Sequence, residues 1–101
     1  MAQRLQLHSL LKTILGSDNV YFQPPASLSM KYPCIMYRRD SDKTIFSDNL
    51  VHNRRIRYQV TYIDKNPDSA IPESIAQLPL CRFDRFYVAD NLNHDVFNIF
   101  F

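Results

Sequence analysis

The chain has 101 residues, a formal net charge of +2, 46% apolar and 13% aromatic residues, one glycine and no tryptophan. This composition excludes a disordered tail and suits one domain spanning residues 1–101. A balance this mildly basic falls short of a dedicated nucleic-acid binder, and no stretch is apolar for long enough to span a membrane.

The first element in chain order is a helix over residues 2–15. Leu7, Leu10, Leu11 and Ile14 fall at i, i+3, i+4 and i+7, which makes one apolar stripe. Gly16 follows where a left-handed cap is wanted. Val20, Tyr21 and Phe22 suit a short strand that Pro24 and Pro25 end. "CIMYRR" reads as a strand, "DSDK" as a turn, and "TIFSDNLVHN" fits strand or loop equally. From Arg55 to Ile63 apolar and polar residues alternate: Ile56, Tyr58, Val60 and Tyr62 face one way, and Arg57, Gln59 and Thr61 the other. Pro72 suits the first turn of a second, short helix, with Ser69 or Asp68 supporting its entry and Pro79 ending it. "LCRFDRFYVAD" and "HDVFNIFF" read as two strands joined by "NLN". The order is α-β-β-β-α-β-β, which predicts an α+β fold: a mostly antiparallel or mixed β-sheet with both helices packed on one face.

Four features bear on function. "ADNLNHD" holds Asp90, His94 and Asp95, which in a convergent arrangement would make three metal ligands. The same cluster, between two apolar runs, is a hairpin signal, and the hairpin is the expected reading. Cys34 and Cys81 sit in apolar strand contexts and read as buried free thiols; a disulfide between neighbouring strands is the alternative. The N-terminal segment is too broken by polar residues for a signal peptide, which favours folding in a reducing cytoplasm. In "CRFDRFY" strict alternation puts Phe83 and Arg85 on one face and Arg82, Asp84 and Phe86 on the other. With arginines and aromatics interleaved, a base-stacking surface is a rival reading. No nucleophile motif and no glycine-rich phosphate loop is present, and an enzyme is not expected. Finally, "VFNIFF" ends the chain with almost no polar protection. It is either central in the sheet or an edge covered by a partner.

Taken together, "VYFQPP", "MKYPCIMYRRD", "YQVTYIDKNPDS" and "LPLCRFDRFYVADNLNHDVFNIFF" resemble small neck proteins of long-tailed bacteriophages, the tail-terminator, tail-completion and head–tail joining proteins. The resemblance runs from the N-terminal helix to the last strand. It implies an α+β subunit of a homo-oligomeric ring, commonly six-membered, at the top of the tail tube. Such a ring stops tail polymerisation and presents a docking surface to the head. Its partners would be the tail tube protein, the head–tail connector proteins, and DNA passing through the lumen without sequence-specific binding. It implies a place in the virion after assembly in the bacterial cytoplasm, with no cofactor, metal or catalytic residue. The interface residues expected on this basis are Arg54, Arg55 and Arg57, or Arg38 and Arg39, facing the lumen or paired with acidic neighbours. Asp40, Asp42 and Asp48 are expected in loops that meet the rings above or below, and Phe97, Ile99 and Phe101 on the last strand. A head-completion or stopper protein on the portal side is the nearest alternative, and a small nucleic-acid-binding module a more distant one.

Overall fold

The computed structural model describes residues 2–47 and 50–101, with side chains described at 4–40 and 56–101. Its elements are α1 (Ala2–Leu15), β1 (Val20–Phe22), β2 (Cys34–Ser47), β3 (Leu50–Asp64), α2 (Ile71–Ala76), β4 (Cys81–Ala89) and β5 (Leu92–Phe100). The five strands form one mixed sheet in the order β1-β2-β3-β5-β4. Only the β1–β2 pairing is parallel; the other three are antiparallel. The expected α+β class and element order are therefore observed. Among the described residues no helix is long and apolar enough to cross a membrane.

One core joins both helices to one face of the sheet. Leu7 and Leu11 from α1 and Ile75 from α2 pack on Val20, Ile35, Tyr37, Tyr58, Val60, Tyr62, Phe97 and Ile99. The alternation read in β3 holds, since Tyr58, Val60 and Tyr62 are all buried on this face. Tyr37 is its hub. Its ring packs on Phe22 and edge-on to Tyr58, while its hydroxyl lies 2.7 Å from His8 Nδ1 and accepts from Arg4 at 3.3 Å. Gly16 closes α1 with φ +78, a left-handed cap, and its amide donates to the Lys12 carbonyl. At the entry to α2, Ser69 Oγ accepts the Ile71 amide at 3.2 Å and meets Tyr62 Oη at 2.9 Å, which ties the helix to β3.

Two readings are corrected and an open one is resolved. "DSDK" is not a turn: β2 runs unbroken through residues 40–43, paired with β3 to Ser47↔Leu50. Of the ambiguous stretch after it, residues 44–47 and 50–53 are strand. The turn after β4 is Asp90-Asn91, with φ 53 and 63, and Leu92 already pairs with Ala89. Two successive left-handed residues are what a two-residue type I′ hairpin needs, and Asp and Asn tolerate that geometry.

Both cysteines are free. Cys34 is fully buried on the helix-free side, and burial pushes its thiol up to about 12; Cys81 is half-buried and also raised by burial. A thiol held protonated reacts slowly. In native protein a thiol-specific chromogenic reagent is expected to modify Cys81 slowly and Cys34 only on unfolding, a difference that peptide mapping reads directly. Equal rates for the two would contradict this packing.

Candidate functional site

The sheet has a helix-covered face and a helix-free face, and the latter holds Arg38, Arg57, Arg82 and Arg85. The registers place Arg38, Gln59, Asn98 and Arg82 on one cross-strand rung, one residue from each of β2, β3, β5 and β4. Arg38 Nε donates to Gln59 Oε1 at 3.0 Å. Arg57 lies on the same face and pairs with Asp40 at 3.0 Å. Arg57, Leu80, Cys81, Arg82, Asn98 and Phe100 line a groove of about 500 Å³. Among the described residues, Arg57 Nε and Asn98 Oδ1 are buried side-chain polar atoms without a hydrogen-bond partner, and both residues line that groove.

Arg85 joins this face because β4 carries a bulge between Phe83 and Arg85. The extra residue shifts the alternation. Phe83 and Phe86 thereby share the helix-side face, opposite Phe97 and Asp95, while Arg82 and Arg85 share the other, opposite Asn98 and Val96. Strict alternation had separated these pairs. The aromatics and arginines of "CRFDRFY" therefore lie on opposite faces, apart from Tyr87. Tyr87 stacks on His94 on the helix-free side, with centroids 4.5 Å apart and planes at 10°.

The expected interface residues are dispersed. Arg38 and Arg39 are exposed but alternate to opposite faces, with Arg39 paired to Tyr58. Asp40 and Asp42 stand within β2 rather than in a loop, near the irregularity between Arg39 and Ser41. Asp48 lies outside the described residues. The side chains of Asp42, Arg54 and Arg55 also lie outside them; their backbones pair as Asp42↔Ile56, Lys43↔Arg55 and Thr44↔Arg54. The last strand is not an edge. β5 sits between β3 and β4, so Phe97 and Ile99 are core residues and Phe101 packs half-buried against them. Being central, β5 needs no polar protection.

Asp90, His94 and Asp95 do not converge. Asp90 is in the hairpin turn, and His94 and Asp95 are successive strand residues on opposite faces. His94 Nδ1 contacts the Leu92 carbonyl at 3.0 Å. Burial raises the Asp95 carboxyl above its ordinary 3.8, with His94 pulling the other way. A raised folded-state value means the native chain holds this proton more tightly than the unfolded chain. Its stabilising share is complete below the ordinary value and is lost as pH rises through the folded one. Asp95→Asn is therefore expected to gain stability at neutral pH, by under about 1 kcal/mol because the group is only partly shielded from solvent. The gain should vanish near pH 3, and denaturant midpoints across that range measure it.

The feature that sequence reasoning missed is the edge. β4 is terminal in the sheet, and its stretch holds Leu80, Phe83, Phe86, Tyr87 and Val88 at 41–60% exposure. Second is an arm. β1 pairs only with Ile35–Tyr37, and β5 reaches β3 only at Arg57–Asp64, so residues 42–47 and 50–56 form a ribbon of two strands. Seven strand residues span about 23 Å, in keeping with a molecule of 50 × 25 × 23 Å. Comparison with protein-family models, with curated proteins and with solved structures found no match.

Proposed function

We propose that this chain is a structural subunit of the neck of a long-tailed phage, forming a ring at the top of the tail tube that ends tail polymerisation and receives the head. The resemblance along the chain names the class. In the fold, the β2–β3 arm is the observation that carries it. A two-stranded ribbon is marginal in water by itself and presents two rows of backbone donors and acceptors. Such an arm suits contact with a neighbouring subunit or ring, not the enclosure of a substrate. The work of a neck ring is done by shape and by contacts repeated around a closed symmetry, with no bond made or broken. The helix-free face, with Arg38, Arg57, Arg82 and Arg85, is the one suited to a lumen that DNA crosses, because its guanidiniums are tempered by Asp40 and Asp84. Stronger attraction would hinder passage.

Electron microscopy of lysates from a phage with a nonsense mutation in this gene tests the proposal. Overlong tails beside unattached heads are expected for a terminator. Normal tails beside DNA-filled heads would move the protein to a joining role, and emptied heads to a stopper. Normal infectious particles would end the neck reading.

A further inference from the structure

Of eight exposed large hydrophobics among the described residues, five lie in the stretch 80–88 at the β4 edge. Two more, Leu28 and Tyr32, lie in the segment linking β1, the opposite edge strand, to β2. An exposed apolar stretch on one edge of a sheet whose opposite edge strand is also apolar fits head-to-tail contact between copies, which closes into a ring when the rotation permits.

The strand senses agree with such contact. β4 runs antiparallel to β5, β5 to β3 and β3 to β2, while β1 is parallel to β2. β4 therefore runs opposite to β1. A second copy rotated about an axis along the strands brings its β1 antiparallel to β4.

The levels agree as well. Following the registers across the sheet, Val20, Tyr21 and Phe22 stand level with Phe86, Arg85 and Phe83 respectively. Val20, Phe22, Phe83 and Phe86 lie on the helix-side face, and Tyr21 and Arg85 on the other. Backbone direction matches too. Ile35 N–H donates to the Asn19 carbonyl and Gln23 N–H to the Tyr37 carbonyl, so alternation turns the Phe22 amide and carbonyl outward. Phe100 N–H donates to the Leu80 carbonyl, so alternation turns those of Phe83 outward.

We infer that the β4 edge of one subunit adds to the β1 edge of the next, with Phe83 opposite Phe22, Phe86 opposite Val20 and Arg85 opposite Tyr21. The contact rests on the ring reading and names its two surfaces. The partner is a second copy of this chain. Main-chain hydrogen bonds supply affinity, the aromatic pair supplies register, and Arg85 over Tyr21 adds a cation–π contact.

Disulfide trapping tests it. Within one chain, Tyr21 and Arg85 are four strand spacings apart, about 19 Å, too far for a disulfide. Tyr21→Cys and Arg85→Cys are made separately in Cys81→Ser protein, mixed at high concentration and oxidised. A heterodimer formed only in the mixture is expected, and a ladder of covalent multimers from the double variant. Phe86→Lys with Val88→Lys, both at exposed positions, should weaken self-association at least tenfold in sedimentation with an unchanged melting curve. Homodimers of Arg85→Cys alone would mean that β4 pairs with itself and would overturn the inference. So would absence of trapping, whether the protein stays monomeric or forms rings that the lysine variant leaves intact. In the last case the ring reading survives. Failure of the ring reading is read separately, as normal particles from the nonsense mutant.

Discussion

Phe97→Ala is expected to cost about 3–5 kcal/mol of folding stability, the range for truncating a buried phenylalanine. Phe97 is 2% exposed and belongs to the core cluster of the described residues. It stands opposite Val60 on β3 and Phe83 on β4, and Phe83 meets it edge-on with centroids 5.6 Å apart. Removing the ring loses its transfer free energy, leaves a cavity between two strand neighbours, and frees Phe83 of its aromatic partner. A domain of this size holds only about 5–15 kcal/mol in total. The loss should therefore lower the melting temperature by about 12 °C or more. Urea unfolding monitored by circular dichroism is the measurement. Phe97→Leu fills most of the volume and should recover over half the loss. A change below about 1 kcal/mol for alanine would show that Phe97 is not the core residue the register makes it.

The same residue shows what the sequence could tell. "VFNIFF" alternates Phe97 and Ile99 with Asn98, and its apolar character was plain. Whether that meant a core strand or an uncovered edge depends on strand order, which arises from pairing between distant segments. The β3 alternation was legible because every side chain from Ile56 to Tyr62 reports one face, with no turn former among them. "DSDK" misled for a physical reason. Asp and Ser favour turns through local side-chain bonds to the backbone, yet a two-stranded arm beyond the core asks little of strand propensity. The bulge at Asp84 was invisible, since no glycine or proline marks it. One inserted residue was enough to move Arg85 to the face of Arg82 and to bring Phe86 beside Phe83. The basic face and the apolar β4 edge both follow from that shift and from the placement of β4 outside β5. Neither was open to periodicity alone.

Replacing residues 43–55 with an Asn-Gly turn is expected to leave the body folded and to abolish function. The cut falls between Asp42 and Ile56, a register pair, so a two-residue turn can close the strands there. It keeps the Ile56 carbonyl, which accepts the Phe101 amide at 3.1 Å, and the Arg57–Asp40 ion pair. The removed strand residues pair only with one another, and every buried residue of the described core lies outside the cut. The melting temperature should accordingly stay within about 4–8 °C, the equivalent of about 1 kcal/mol. Assembly should respond very differently. If the arm contributes even about 1.4 kcal/mol to one intersubunit contact, its loss weakens that contact tenfold. Contacts made together around a ring compound the deficit. The truncated chain, expressed from a plasmid, should fail to rescue the nonsense phage and give the mutant's own particle morphology. Rescue at the level of the full chain would leave the arm without a role in the neck, and the case for this fold as a ring subunit would then rest on the β4 edge alone. A truncated chain that does not fold would instead show that the ribbon stabilises the body, contrary to its pairing. Circular dichroism on the purified variant separates that outcome from loss of assembly.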